Sequence, residues 1–226
     1  MLKTLISKEL KTQVIHKTYF YIVFFINLIK AARNAKNTQS IFNMAHAMMK
    51  LGHFNETIAY LKQDSPSLRY LNERKLMKKY TLDELDQLPE GSLGRIYAQH
   101  MLQNNLDPDF YEVLQITDDV AYFIMRIRET HDIWHVITGF GIDVPSELGL
   151  QAFTLAQTRS PIGTILIGGA MFKAAFKNLN SVSDIYDQVS KGWLLGRKAK
   201  KLFGADWENL WDKPLDQIRH DYNIVL

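Results

Sequence analysis

Residues 118–147, DDVAYFIMRIRETHDIWHVITGFGIDVPSE, set the helical architecture of this chain. Apolar residues recur in this stretch at spacings of three and four, which is typical of an amphipathic helix rather than a strand. The helix is predicted to begin at Asp118 and to end at Gly139, because glycine readily adopts the left-handed conformation that closes a helix. Pro145 then predicts the first turn of a second helix, where its missing amide hydrogen is no loss. The apolar stripe of the first helix consists of Val120, Phe123, Ile124, Ile127 and Trp134.

Four side chains that commonly bind metal ions lie where the first helix ends and the second begins. His131 and His135 are four residues apart, so both imidazoles fall on one helix face, and Asp132 completes an arc of roughly 100°. Glu147, at the start of the next helix, adds a carboxylate. Nitrogen and oxygen ligands of this kind suit a divalent cation. The pattern predicts a metal site at these four residues, with a solvated polar helix end as the alternative.

Composition indicates one helical protein. Of the 226 residues 46% are hydrophobic, which is enough for a sizeable core, and strand-like alternation is scarce. The chain has no cysteine, so a metal must be held by His, Asp and Glu alone. A net charge of +3, without basic runs interleaved with aromatics, gives no indication of nucleic-acid binding. We expect an all-α fold, a single multi-helix domain spanning residues 1–226.

An apolar run near the amino terminus raises the question of membrane contact. Residues 19–29 are apolar except for Asn27, and a transmembrane helix needs about 20 predominantly apolar residues. The run is therefore predicted to be too short to span a bilayer. A buried core helix is the expectation, and a helical anchor in the membrane interface is the alternative.

A second apolar helix is predicted after Ser160, and it is rich in glycine and alanine. Close packing between helices explains such residues, and an apolar channel for a long aliphatic ligand is the alternative. The channel would be lined by Gly163, Ile167 and Met171. Further along, a basic set forms either a solvated helix face or a docking surface for anionic lipid headgroups; it consists of Lys191, Arg197, Lys198, Lys200 and Lys201.

Two hydrolase patterns share part of the metal motif. In the zinc-protease pattern HExxH a glutamate acts as general base, but Asp132 is one methylene shorter and can bind the metal directly. Phosphohydrolases with an adjacent His-Asp pair need a further upstream histidine. His53 and His100 qualify for that role only by residue type. A zinc protease and an HD-type phosphohydrolase are therefore less favoured than a metal site that belongs to neither class.

The motif HDxxH followed after eleven residues by Glu resembles the coenzyme Q (ubiquinone) biosynthesis protein 4 family. The resemblance is strongest over residues 80–226, and the first 80 residues are divergent. One departure is Ser146, where the family usually has glycine. The residues that carry the resemblance outside the motif are Arg126, Arg128, Glu129, residues 88–95, Tyr97, Asn105, Pro108, Asp109, Gln157, Thr158, Pro161, Gly196, Arg197, Trp207, Glu208, Pro214, Leu215 and Arg219.

The resemblance implies a prenylquinone (ubiquinone-type) biosynthesis protein that binds a polyprenylated aromatic or isoprenoid lipid at a membrane surface. It implies metal-dependent, oxidative decarboxylation of a polyprenyl-hydroxybenzoate, with a non-catalytic lipid-binding scaffold as the alternative. Zinc is the expected ion, and magnesium, iron and manganese are alternatives. Arg126 or Arg128 could hold the substrate carboxylate, although a structural role is favoured.

Partners and location follow from the same resemblance. Other quinone-biosynthesis proteins are expected as partners, and a homodimer is considered. The amino-terminal residues lack the Arg- and Ser-rich, acid-poor character of a mitochondrial transit peptide. We therefore expect a bacterial-type, cytoplasmic protein at the periphery of a membrane.

Overall fold

The computed structural model describes residues 2–33, 38–110 and 113–226, with side chains from residue 11 onward apart from Ala32. In these ranges the regular structure is helical and no strand occurs, which confirms the all-α prediction. A short 3-10 helix covers Trp207–Asn209. The α-helices are α1 (Leu2–Arg33), α2 (Thr38–Lys50), α3 (Asn55–Leu61), α4 (Ser65–Glu73), α5 (Leu82–Asp86), α6 (Leu93–Gln103), α7 (Asp119–Thr138), α8 (Val144–Thr158), α9 (Pro161–Lys177), α10 (Ser181–Lys198) and α11 (Leu215–Asp221).

Helices α7 and α8 begin and end where the local sequence predicts. The Asp118 side chain caps α7 by accepting a hydrogen bond from the backbone amide of Ala121 at 2.8 Å. Gly139 closes α7 with φ +71°, a conformation that costs glycine little. Asp143 caps α8 through the amide of Ser146 at 3.1 Å, and Pro145 lies in the first turn. Both ends of the turn between the two helices are therefore fixed by local chemistry.

The main hydrophobic core forms around the second half of α7. Ile133, Trp134 and Ile137 are buried there, and the Trp134 ring meets the Phe153 ring of α8 edge-on at 5.7 Å. Other elements contribute buried side chains to the same cluster, including Leu93, Ala98, Met101, Leu150, Leu195, Leu202, Trp207, Trp211 and Ile218. Helix α7 thus presents its apolar face to the core and leaves its other face for polar side chains.

Helices α8 and α10 approach each other through glycines. A Cβ atom added to Gly192 of α10 would lie 1.9 Å from the carbonyl oxygen of Gly149 in α8, a distance at which backbones overlap. At Gly196 an added Cβ would lie 2.7 Å from the carbonyl oxygen of Phe153. Only residues without a side chain permit this separation, so α10 fixes the position of α8.

The expectation that the apolar run near the amino terminus forms a buried core helix is wrong. Helix α1 packs against α2 and α9, yet the residue Asn27, 6% exposed, is the one buried position among its described side chains. The window Lys11–Ala31 is 21 residues long, is 6% buried, and is long and apolar enough to cross a membrane by length and composition. The apolar run of residues 19–29 is by itself shorter than a membrane-spanning helix, but the helix continues beyond both ends of the run. The exposed apolar side chains of α1 are Val14, Ile15, Tyr19, Tyr21, Ile22, Phe25, Ile26 and Ile29.

Substituting alanine for Gly192 is expected to destabilise the fold by about 2–3 kcal/mol, because the new methyl group forces α8 and α10 apart. Gly168 of α9 offers a matched control, since nothing lies within 4 Å of an added Cβ there. Gly168→Ala should be neutral or stabilise the protein by up to about 1 kcal/mol. Urea unfolding followed by circular dichroism measures both. Equal stabilities for the two variants would contradict the packing described for α8 and α10.

Candidate metal centre

Three of the predicted metal-binding residues, His131, Asp132 and His135, form one group at the end of α7, and Glu147 at the start of α8 lies within 3.7 Å of both histidines. His131, Asp132 and His135 lie in the last turns of α7, and Glu147 lies in the first turn of α8. The turn at Gly139 reverses the chain, so that the start of α8 faces the end of α7. The sequence spacing therefore produces the predicted juxtaposition.

The side-chain distances define a compact cluster. His135 Nε2 lies 3.2 Å from His131 Nε2 and 3.2 Å from Glu147 Oε1, and His131 Nε2 lies 3.7 Å from Glu147 Oε2. One ligand atom each of His131, Asp132 and His135 lies within 4.8 Å of the others. The His135 side chain is 1% exposed, whereas that of Glu147 is 37% exposed. The cluster is thus buried on the α7 side and open to solvent on the α8 side.

His135 is oriented by the turn that follows its own helix. Its Nδ1 atom lies 3.0 Å from the carbonyl oxygen of Phe140, to which it donates a hydrogen bond. This contact directs the other ring nitrogen, Nε2, toward His131 and Glu147. Backbone carbonyls commonly fix the ring orientation of metal-binding histidines in this way.

The clustered side chains shift one another's pKa values. Burial lowers the pKa of His135, but its hydrogen bond to Glu147 and the charge of that carboxylate outweigh burial and hold the pKa above its ordinary value. Burial, and then the charge of His135, lower the pKa of His131. Burial raises the pKa of Glu147, yet the hydrogen bond from His135 and the charges of both histidines bring it below its usual value. Glu147 therefore favours the protonated form of His135, while burial favours the neutral form of His131.

The donor set fits a divalent cation. With metal–ligand bonds of about 2.0–2.1 Å, two ligand atoms of a tetrahedral ion lie about 3.3 Å apart. The separations of 3.2, 3.2 and 3.7 Å among His131, His135 and Glu147 approach that value. Two imidazole nitrogens and carboxylate oxygens are acceptable to zinc, iron and manganese.

A third histidine, whose position the sequence pattern does not give, lies beside the cluster. The ring of His100, in the last turn of α6, stacks on the ring of His135 with centroids 6.0 Å apart and an interplanar angle of 23°. Helix α6 packs against α7, and only this tertiary contact brings the two rings together. His53, the other candidate for the phosphohydrolase pattern, instead contacts Tyr21 of α1, with ring centroids 6.3 Å apart.

The two arginines ahead of the motif make structural contacts. Arg126 is buried, donates to the carbonyl oxygen of Ala205 at 2.6 Å, and lies over the Tyr70 ring at 4.5 Å. Arg128 lies over the Phe42 ring at 4.2 Å. The favoured structural role is confirmed for Arg126, which ties α7 to the segment after α10.

The residues predicted to line a channel lie on α9 in different surroundings. An added Cβ at Gly163 would lie 2.7 Å from the carbonyl oxygen of Gln151, so close packing on α8 accounts for this glycine. Ile167 and Met171 are half-buried and pack against a small cluster that contains Leu148 of α8. Leu148 is the residue that follows Glu147 in α8.

Comparison with known proteins shows the family of this chain. The family model of coenzyme Q (ubiquinone) biosynthesis protein Coq4 matches residues 8–226. The mitochondrial ubiquinone biosynthesis protein COQ4 homolog of Rattus norvegicus is 31% identical over 170 residues, which cover 73% of this chain and 63% of that protein. The homolog of Nematostella vectensis is 30% identical over 174 residues, 73% of this chain and 82% of that one.

A solved structure shares the fold over most of this chain. The crystal structure of a protein from Nostoc punctiforme that is assigned to ubiquinone biosynthesis superimposes with a TM-score of 0.83 and 31% identity, over 92% of this chain and 97% of that one. The chain spans less than two thirds of the rat relative's length. With the family model matching nearly all of its residues, this chain belongs to the coenzyme Q (ubiquinone) biosynthesis protein Coq4 family.

Proposed function

We propose that this chain acts in ubiquinone-type prenylquinone biosynthesis, as a metal-dependent decarboxylase of a polyprenyl-hydroxybenzoate. The observation that carries the proposal is the convergence of His131, His135 and Glu147 within 3.2–3.7 Å. Family membership supports the pathway. The chemistry of the donor set supports the reaction class.

The four clustered residues divide the work of holding a cation. His131 and His135 supply imidazole nitrogens, and Asp132 and Glu147 supply carboxylate oxygens. A divalent ion bound there, zinc first, with iron, manganese or magnesium as alternatives, supplies a Lewis acid for the carboxylate or phenolate oxygen of the substrate. Because Glu147 is 37% exposed, a ligand can reach the cluster from the α8 side.

In the reaction the bond between the ring carbon and the carboxylate breaks, and carbon dioxide leaves. In the simple form, a proton takes its place on the ring carbon. In the oxidative form, a hydroxyl group takes its place, which requires dioxygen and a two-electron reductant and yields water. Because the His135 side chain is 1% exposed, it would keep water away from one side of a carboxylate bound at the cluster.

The polyprenyl tail would lie along α9. Ile167 and Met171 pack against a cluster that contains Leu148, the residue after Glu147, and a substrate whose aromatic head lies at the metal residues would place its tail along this helix. Gly168 has nothing within 4 Å of an added Cβ, and further apolar side chains of α9, Phe172 and Phe176, are exposed. Gly163 remains a predicted lining residue, although it packs against α8.

Helix α1 would hold the protein at a membrane surface. Helix α1 packs against α9, where half-buried Leu28 of α1 lies 4.0 Å from an added Cβ at Gly169. In the carboxyl-terminal basic set, Lys201 is held by Tyr60 and by the carbonyl oxygen of Gln157, and the other four cations are exposed. Each exposed cation near an anionic surface contributes about 1 kcal/mol.

A non-catalytic scaffold is the alternative. It would keep the metal, the lipid and the contacts with other quinone-biosynthesis proteins or with a second copy, and it would release no carbon dioxide. The solvent-exposed edge at Glu147 favours catalysis, because a structural metal site is closed by protein ligands.

Metal affinity is expected to rise as the pH is raised through the pKa of His135, because a cation must displace the proton that the neighbouring Glu147 stabilises on that imidazole. The pKa values of Glu147 and His131 are lowered, so these two side chains add little to the proton release that accompanies metal binding. Calorimetry of zinc binding in buffers of different ionisation enthalpy measures both affinity and proton release.

The matched controls for this titration are histidine variants. His135→Ala should weaken zinc binding by at least about a hundredfold. His220→Ala, at a side chain that is 89% exposed, should leave it unchanged. Affinity that is independent of pH, or equal in both variants, would rule out the site.

Metal-loaded protein is expected to release labelled carbon dioxide from 4-hydroxy-3-polyprenylbenzoate carrying the label in its carboxyl group. His135→Ala should reduce release to background, and His220→Ala should not. The reaction is followed with and without dioxygen and a reductant, which separates the two forms. Lipid binding without any release from the wild-type protein would establish the scaffold instead.

The membrane proposal predicts that the protein floats with vesicles of phosphatidylcholine and phosphatidylglycerol. Replacing Ile22 and Ile26 of α1 with aspartate should reduce binding at least about tenfold, since each buried apolar side chain contributes about 1.5–3 kcal/mol. Val113 and Val225 are also exposed, at 65% and 80%, and their aspartate variants serve as the control. Equal flotation of both variants would contradict a membrane role for α1.

A further inference from the structure

We propose that His100 is a further residue of the active site and donates a hydrogen bond from Nε2 to an anionic oxygen of the aromatic substrate. This inference rests on the proposed function. The metal residues bind one part of the substrate, and His100 binds an oxygen that they leave free.

The first argument is position. His100 reaches the cluster from α6, and its ring stacks on that of His135 at 6.0 Å. This ring stacking is its contact with the cluster, whereas His131 and Glu147 each bring an atom to 3.2 Å from His135 Nε2. The ring of His100 therefore lies against His135, at the edge of the metal-type residues.

The second argument is the tautomer. The amide nitrogen of Asn104 donates to the carbonyl oxygen of His100 at 2.8 Å and lies 3.4 Å from the ring Nδ1. A side-chain amide nitrogen can donate a hydrogen bond but cannot accept one. The Nδ1 atom of His100 therefore accepts, and the ring hydrogen of His100 lies on Nε2. Asn104 ends α6 as its C-cap residue, so this contact is built into the end of the helix.

The third argument is the missing acceptor. Among the described residues, His100 Nε2 is buried and has no hydrogen-bond partner. Leaving a buried donor unpaired costs about 1–3 kcal/mol, so such atoms require an explanation. The other buried nitrogens without partners belong to Arg95 and to the indoles of Trp134, Trp207 and Trp211. His100 is the one whose ring stacks on a metal-type histidine.

The chemistry of the acceptor follows from the donor. A neutral imidazole N–H beside a cation site suits an oxygen with negative charge, since such hydrogen bonds are about twice as strong as neutral ones. A ring carboxylate and a phenolate both provide that oxygen. The two are distinguished by probes that carry only one of the groups.

The test compares His100→Phe and His100→Gln with the wild-type protein, each loaded with zinc. Phenylalanine keeps a ring against His135 and removes the donor, whereas the glutamine amide can restore a donor near Nε2. Zinc content is measured first, then the dissociation constants of benzoate and of phenol by calorimetry. We expect equal zinc content, binding weakened about tenfold to a hundredfold in His100→Phe, and recovery to within about threefold in His100→Gln.

Weakened benzoate binding assigns the carboxylate oxygen to His100, and weakened phenol binding assigns the phenolate. The proposal is overturned if His100→Phe binds both probes as the wild type does, if His100→Gln is as weak as His100→Phe, or if zinc-loaded wild type binds neither probe. Loss of zinc in His100→Phe alone also overturns it, because His100 would then support the metal. Wild-type protein that takes up no zinc would instead overturn the proposed function, and this inference with it.

Discussion

Phe140 joins the two halves of the candidate site. Its carbonyl oxygen accepts the hydrogen bond from His135 Nδ1 at 3.0 Å, which fixes the imidazole at the end of α7. Its ring packs so closely on Gly149 that an added Cβ there would lie 2.5 Å from it, which fixes the start of α8. Glu147 lies two residues before that contact. The separation between imidazole and carboxylate therefore depends on one buried aromatic residue in the turn.

Packing beyond the turn makes this arrangement rigid. Gly149 also approaches Gly192 of α10, so the backbone that carries Glu147 is held between Phe140 and α10. Rigidity matters for a cation site, because ligand atoms must already be in place to offset the cost of removing water from the ion. Leu148 of the same helix belongs to a small apolar cluster, against which side chains of α9 pack. A charged site beside an apolar surface suits a substrate with an anionic head and a long aliphatic tail.

The features that sequence predicts well are those governed by local chemistry. The cap at Asp118, the left-handed Gly139 and Pro145 in the first turn fixed the ends of α7 and α8, and the four-residue histidine spacing fixed a common face. Features that depend on contacts between distant segments could not be read in this way. Hydropathy alone does not indicate whether an apolar helix is covered by another helix. The sequence therefore cannot distinguish a buried α1 from an exposed α1. His100 reaches His135 only because α6 packs against α7.

Anomalous diffraction from zinc-loaded crystals tests the central claim most directly. A single strong peak is expected at the corner of α7 and α8, about 2.0–2.2 Å from nitrogens of His131 and His135 and from oxygens of Asp132 and Glu147. A peak elsewhere, or no peak while these four side chains keep their present separations, would contradict the account.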